Sequence, residues 1–153
     1  MVVYSILAVT HALAGAAWLG SMVYSLLVLQ PRARAYFGNE GELEAFFVTI
    51  SHGARGKVLL ALGVIVVTGA GLMIERWPHS ISVRWLALVV AKVVLFAAAL
   101  SLFIYTSWRL WPARLFASAG DLPRLQRTFR QVGHTMITLA LLSMALGVLL
   151  HTW

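Results

Sequence analysis

The chain contains LALVVAKVVLFAAALSLF at residues 86–103, an apolar run with one ionisable side chain, that of Lys92. A helix needs about 20 mostly apolar residues to cross roughly 30 Å of hydrocarbon, so this run predicts a membrane span. A second run, VVYSILAVTHALAGAAWLGSMVYSLLVL at residues 2–29, carries His11 in a similar setting. Because an ionisable group at membrane depth is costly, Lys92 and His11 become the first candidates for a functional role.

The composition of the whole chain is that of an integral membrane protein. Of its 153 residues, 61% are apolar and 11% are charged, and the mean hydropathy is +0.87. Four stretches are long enough to span, at about residues 3–29, 57–74 with a cytoplasmic extension from 43, 85–108 and 134–152. We therefore predict an all-α fold, an up-down-up-down four-helix bundle that forms a single transmembrane domain over residues 1–153.

Prolines and small residues predict where the helices end and where they approach each other. The residue before a proline disfavours helix, so span one is expected to end just before Pro31 and span three just before Pro112. On the second span, Gly56, Gly63 and Ala70 recur at seven-residue spacing. This spacing predicts a close helix contact or room for a flat ligand.

Basic residues predict the orientation in the membrane. The loop after span one is flanked by Arg32, Arg34, Arg55 and Lys57, and the loop after span three holds Arg109, Arg114, Arg124, Arg127 and Arg130. By the positive-inside rule both loops are cytoplasmic, so both termini are expected on the other side. The formal charge of +7 thus reports topology and an attraction for anionic membrane lipid, and we expect no nucleic-acid partner.

Two absences from the sequence narrow the chemistry. The chain has no cysteine, which excludes disulfides, thiolate metal sites, iron-sulfur clusters and covalently attached c-type haem. No Ser-His-Asp arrangement, phosphate loop or GxGxxG motif can be assembled, so neither hydrolysis nor phosphoryl transfer is expected. Any cofactor must be held by histidine, methionine, lysine or carboxylate side chains, or by packing alone.

The first span carries a candidate cofactor-binding face. His11, Gly15, Trp18 and Met22 follow one another along one side of the helix. This pattern suits a planar macrocycle, with imidazole as axial ligand, glycine for clearance and indole for stacking. Alternatively, His11 bonds a backbone carbonyl or a Ser/Thr hydroxyl across the helices and Trp18 is ordinary packing. Both interpretations stay open.

Lys92 needs a partner for its charge, because the predicted spans contain no acidic residue. Counting about 1.5 Å per residue from the outer helix ends places both His11 and Lys92 roughly 11 Å deep, so the two can be neighbours. An anionic group on a ligand, such as a porphyrin propionate, or an anionic substrate would balance the ammonium. The alternative is a lysine that is neutral, or one that extends to the outer interface.

A second pair of histidines lies near the predicted inner boundary. His52 precedes span two and His134 opens span four, and two histidines on different helices are what a bis-histidyl haem b requires. Arg55 and Arg130 stand about a turn away, where they could meet haem propionates. Two ordinary interfacial histidines in contact with water would show the same pattern.

A third set of residues suggests copper. His79 and His151 lie at the predicted external face with Met73 nearby, and Cu(I) accepts thioether and imidazole ligands. Their spacing forms no recognisable motif, which favours ordinary surface histidines over a copper site.

Several short motifs resemble a known membrane family. They are His11 with Trp18 and Gly20, the Pro31-Arg32 pair, VIVVTGAGL at residues 64–72, and WLALVVAKVVL at residues 85–95. These motifs resemble the CopD-like domain of bacterial copper-resistance membrane proteins and are similar to HemJ-type protoporphyrinogen oxidase. The resemblance implies a four-helix protein of the bacterial inner membrane, with His11 as a haem b ligand and Lys92 as a catalytic residue.

The resemblance has one departure, at the start of the fourth span. FRQVGH at residues 129–134 is similar to a HemJ segment, but His134 stands where that family tends to have an acidic residue. This favours a second haem or iron ligand over HemJ activity. The chain also lacks a histidine- and methionine-rich arm, and this absence weakens the hypothesis of copper transport.

Three functions therefore follow as hypotheses. The first is a membrane redox protein that binds one or two haem b groups and exchanges electrons with a quinol, a porphyrinogen or another membrane redox protein. The second is copper transport or tolerance of the CopD type, with copper in place of haem. The third is a noncatalytic subunit of a respiratory membrane complex. Assembly as a homo-oligomer and enzymatic activity are left open.

Overall fold

A computed structural model describes residues 2–76, 82–118 and 120–151 of the chain. Every regular element in these ranges is helical, and four helices are long and apolar enough to cross a membrane: Val2–Tyr36, Ala54–Arg76, Val83–Leu115 and Leu122–Leu150. The chain divides into two compact units, Met1–Ser80 (unit 1) and Ile81–Trp153 (unit 2). The predicted all-α fold with four membrane-spanning helices is confirmed.

Unit 1 contains two spanning helices and a short helix between them. Its elements are α1 (Val2–Tyr24), a first π turn (Ser25–Leu29), α2 (Gln30–Tyr36), α3 (Glu40–Ser51) and α4 (Ala54–Arg76). The helix α3 begins at Asn39, whose side-chain oxygen accepts hydrogen bonds from the backbone N–H groups of Gly41 and Glu42.

The second span was predicted to extend without a break from residue 43, and this prediction is wrong. The extension is the separate helix α3, and it ends at Ser51. The cause is Gly53, whose φ of +74° is a left-handed backbone conformation that only glycine adopts at little cost. A new helix, α4, then starts at Ala54.

Unit 2 contains the other two spanning helices. Its elements are α5 (Val83–Tyr105), a second π turn (Thr106–Leu110), α6 (Trp111–Leu115) and α7 (Leu122–His151). Ser82 caps α5 by accepting a hydrogen bond from the backbone N–H of Trp85. Arg124, Arg127 and Arg130, which were predicted in the loop after span three, lie in the first part of α7.

Neither proline ends its helix, which corrects the predicted ends of spans one and three. In the first π turn the N–H of Gln30 bonds the carbonyl of Ser25, five residues back. Pro31 then occupies the first turn of α2, where its missing N–H is tolerated, and the helix continues to Tyr36. Pro112 follows the second π turn in the same way. The wider turn relieves the clash that a proline ring makes in a regular α-helix.

The two units repeat one sequence motif. YSLLVLQP at residues 24–31 and YTSWRLWP at residues 105–112 share a tyrosine, a hydroxyl residue, a leucine and a proline at the same spacing. In both, the hydroxyl residue opens the π turn. His11 precedes Pro31 by as many residues as Lys92 precedes Pro112, so the two ionisable residues occupy equivalent positions of the repeat.

Glycines set the close approach of the helices within each unit. A Cβ atom at Gly71 of α4 would lie 3.0 Å from Leu7 of α1, and one at Gly69 would lie 3.2 Å from His11. Residue numbers rise along one helix as they fall along the other, so α1 and α4 run antiparallel. In unit 2, α5 and α7 meet where a Cβ at Gly147 would lie 3.0 Å from the Nζ of Lys92.

Candidate functional site

His11 lies on the side of α1 that packs against α4. Its Nδ1 is 3.0 Å from Oγ1 of Thr68, whose side chain is 7% exposed. The imidazole is half-buried between the two helices. This is the interhelical hydrogen bond that the structural interpretation of His11 predicted. The contact is made through Nδ1 of the ring.

The hydrogen bond assigns a role to each of its two partners. The Thr68 hydroxyl has one hydrogen, which it donates to the carbonyl of Val64 at 2.6 Å. With its hydrogen on Val64, Thr68 Oγ1 is an acceptor for a His11 Nδ1–H. Histidines that bind metals use this arrangement, with one N–H held by a protein group and the other nitrogen on the metal.

Gly69 gives the imidazole its clearance. A Cβ atom at this position would lie 3.2 Å from Cε1 and 3.6 Å from Nδ1 of His11, the first of these being tighter than ordinary van der Waals contact. The predicted contact glycines on the same helix behave differently, because Gly56 and Gly63 have no atom within 4 Å of the Cβ position. The small residues that matter to the packing of α1 on α4 are Gly69 and Gly71.

We expect Gly69→Ala to displace the His11 ring and to lower the free energy of unfolding by about 1–3 kcal/mol, the usual cost of overpacking. The readout is ¹⁵N NMR of the histidine ring in detergent, which should show loss of the Nδ1–H tautomer. Gly63→Ala is the matched control on the same helix and should leave the tautomer unchanged. Equal spectra for the two variants would contradict the geometry.

The other residues of the predicted cofactor face lie on the same side of α1. Gly15 and Met22 are half-buried, whereas Leu13 on the opposite side is 66% exposed. Gly15 has no atom within 4 Å of its Cβ position, so space for a flat group exists there. Trp18 is only 6% exposed and belongs to the core of unit 1. Its indole serves packing, which leaves it little surface for stacking a ligand.

Lys92 is half-buried on the side of α5 that packs against α7. Its Nζ and Cε would lie 3.0 Å and 3.7 Å from a Cβ at Gly147. Asp121 is the one acidic residue of unit 2, and its carboxylate accepts a hydrogen bond from Ser118 in the turn before α7. The ammonium therefore has no acidic partner within the described residues of its unit. The ammonium lies against α7 at Gly147.

The structure places the inner histidines and arginines on the surface of their units. His52 is exposed at the end of α3, where its N–H donates to the carbonyl of Thr49, and His134 is exposed on α7. Arg55 and Arg130 are exposed as well. Because His52 and His134 belong to different units, each described by itself, their joint ligation of one haem stays a prediction. The proximity of His11 and Lys92 stays a prediction for the same reason.

Distance along unit 1 separates the two histidines that it contains. Thr68, the partner of His11, lies on α4 about 20 Å from the start of that helix, and His52 precedes the start. One iron therefore cannot bind both His11 and His52. Among the described residues, no group of three or more His, Cys, Asp or Glu side chains comes together.

The predicted copper ligands are only partly described. His79 lies outside the described residues, and so does the side chain of His151. Met73 is half-buried on α4. The copper site accordingly stays a prediction.

Sequence reasoning missed three residues that surround the candidate groups: Thr68, Gly69 and Gly147. The signal for the first two was present, since the depth count applied to α4 from Arg76 places Thr68 level with His11. Gly147 had no such signal, because a single glycine in an apolar helix is common in membrane spans.

Comparison with known proteins identifies no relative, since no family model, no curated protein and no solved structure matches the chain.

Proposed function

We propose that this chain is a haem-b-binding redox protein of the bacterial cell membrane, with both termini on the non-cytoplasmic side and His11 as an axial ligand. The observation that supports it is the hydrogen bond between His11 Nδ1 and Thr68 Oγ1 at 3.0 Å, inside a membrane span. It holds the imidazole on the side of α1 that packs against α4. A membrane-embedded histidine held in this way is a functional group by default.

The residues around His11 fit one axial haem contact. Gly15 leaves open space one turn along α1, and Gly69 leaves clearance on the facing helix. Bound haem would supply one-electron chemistry at this position. The chain's own part is to fix the imidazole through Thr68 and to exclude water with the apolar surfaces of α1 and α4.

The ammonium of Lys92 is the proposed binding group for an anionic ligand. Its ammonium is half-buried in an apolar helix, and the single acidic residue of its unit is engaged elsewhere. A carboxylate on a haem or on a porphyrinogen-type substrate would balance this charge. The resemblance to the CopD-like and HemJ-type proteins assigns function to the same two positions, and a quinol or another membrane redox protein is the proposed electron partner.

The test of haem binding is an absorption titration of the purified chain with haem in detergent. We expect a Soret band that saturates at one haem per chain. A protein that gains no Soret band after haem addition would refute the proposal.

Thr68 offers a second test of the same site. Thr68→Val keeps the shape of the side chain but removes the hydroxyl that accepts from His11 Nδ1–H. We expect haem affinity to fall by about 10–100-fold, the usual effect of losing the partner of a ligating histidine. Thr68→Ser retains the hydroxyl and should stay close to the parent chain. Unchanged affinity in Thr68→Val would show that Thr68 does not position the ligand.

A further inference from the structure

One end of unit 2 combines a high positive charge with exposed apolar side chains. It carries five arginines, which we call the arginine end: Arg109, Arg114, Arg124, Arg127 and Arg130. All but Arg114 are exposed. Beside them, Trp108 is 48% exposed and Phe116 is 88% exposed. The spanning helices α5 and α7 both meet this end, so it lies at a membrane boundary.

Aromatic contacts hold the arginine end together. The rings of Trp111 in α6 and Phe129 in α7 meet edge to face, with centroids 6.2 Å apart. The guanidinium of Arg114 lies 5.2 Å from the Phe129 ring and 5.9 Å from the Trp111 ring. These contacts hold the Arg114 guanidinium of α6 against α7.

The corresponding end of unit 1 differs in charge, although the two units repeat one motif. It carries Arg32, Arg34, Arg55 and Lys57, but α3 adds Glu40, Glu42 and Glu44. Unit 2 has a single carboxylate there, Asp121, and Ser118 donates a hydrogen bond to it at 2.6 Å. The modest excess of basic over acidic residues in unit 1 would be enough to fix orientation by the positive-inside rule. The larger excess of basic residues in unit 2 suits an anionic ligand.

We propose that the arginine end of unit 2 is a binding site for the headgroup of an anionic phospholipid. Arginine suits phosphate because its guanidinium donates two parallel hydrogen bonds to the phosphate oxygens. The exposed Trp108 and Phe116 beside the arginines match acyl chains, which a free phosphate ion lacks. Basic clusters at the end of a membrane helix attract anionic lipid through both effects. The site does not depend on haem.

The experiment is a titration of the full chain in neutral detergent with phosphatidylglycerol or phosphatidylcholine, with bound lipid counted by native mass spectrometry. The parent chain should retain phosphatidylglycerol in preference to phosphatidylcholine, and added salt should weaken the preference. In Arg124→Gln/Arg127→Gln the affinity for phosphatidylglycerol should fall roughly 25-fold, at roughly fivefold for each arginine removed.

The matched control removes the same charge from unit 1. Arg32→Gln/Arg34→Gln should keep the affinity for phosphatidylglycerol within about threefold of the parent. Equal losses in both double variants would overturn the proposal in favour of nonspecific attraction by net charge. Displacement of the lipid by an equal concentration of inorganic phosphate would overturn it as well, because the acyl chains would then contribute nothing.

Discussion

His11→Ala should lower the affinity for haem by more than about 100-fold, since it removes the axial ligand itself whereas the loss of a supporting partner already costs 10–100-fold. The measurement is the Soret band in a haem titration of the detergent-solubilised protein. The substitution removes one half-buried side chain and its hydrogen bond to Thr68, and in membrane proteins such bonds contribute only about 0.6 kcal/mol on average. The variant should therefore remain folded and helical.

Two further histidine variants serve as controls for His11→Ala. His52→Ala and His134→Ala each remove an exposed imidazole, the first from unit 1 and the second from unit 2. Both should bind haem as the parent does. If these variants lose the Soret band while His11→Ala keeps it, the haem is held by the inner pair and the role assigned to His11 is wrong.

Lys92→Leu should make the haem-free protein more stable and less active. A lysine near the centre of a membrane helix costs about 2.5–3.5 kcal/mol, and Lys92 has no carboxylate partner in the described part of unit 2. Because the side chain is half-buried against α7, part of that cost is already relieved. We expect the free energy of unfolding to rise by about 2 kcal/mol, measured by denaturant titration in bicelles.

Lys92→Leu should also impair the binding of an anionic substrate. Without the ammonium, electron transfer from a carboxylate-bearing porphyrinogen should fall at least tenfold, since the charge-assisted bond to its carboxylate is lost. Lys92→Arg keeps the charge and should show no gain in stability. A loss of stability in Lys92→Leu would mean that the ammonium has a partner inside the protein, and the anion-binding role would then be wrong.

Hydropathy was sufficient to predict the spanning helices but not their ends. The four apolar stretches correspond to the four long helices, because backbone groups in hydrocarbon must bond within their own helix. The predicted stops at Pro31 and Pro112 failed, since the rule about prolines assumes a regular α-helix. A π turn before each proline changes the hydrogen-bond register, and hydropathy carries no information about register.

The repeat escaped prediction for a related reason. Its shared residues are few and are scattered through a background rich in leucine, valine and alanine, where chance matches are frequent. The two π turns make the equivalence visible, because they begin at Ser25 and Thr106 and fix the alignment. Once the two units are aligned on this motif, His11 and Lys92 occupy equivalent positions before it. The sequence had already marked both residues as costly, but it could not show that they correspond.

The candidate site was predictable in its ionisable groups and not in their surroundings. His11 and Lys92 stand out in any apolar run, whereas Thr68 and Gly69 are ordinary residues of a membrane helix until a neighbour is placed against them. Which helix faces His11 depends on packing, and small residues set the packing of membrane helices. The sequence pattern pointed to Gly56 and Gly63 as the contact residues, whereas Gly69 and Gly71 make the contacts. The sequence therefore predicted a hydrogen bond from His11 to a Ser/Thr hydroxyl on another helix, but it did not identify Thr68 as the partner.

The most direct test of the central claim is imidazole rescue of His11→Gly. The account predicts that this variant gives no Soret band of a histidine-ligated haem, and that millimolar imidazole restores the band by entering the space left between α1 and Gly69. A parent-like spectrum in His11→Gly without added imidazole would contradict the claim that His11 is the axial ligand.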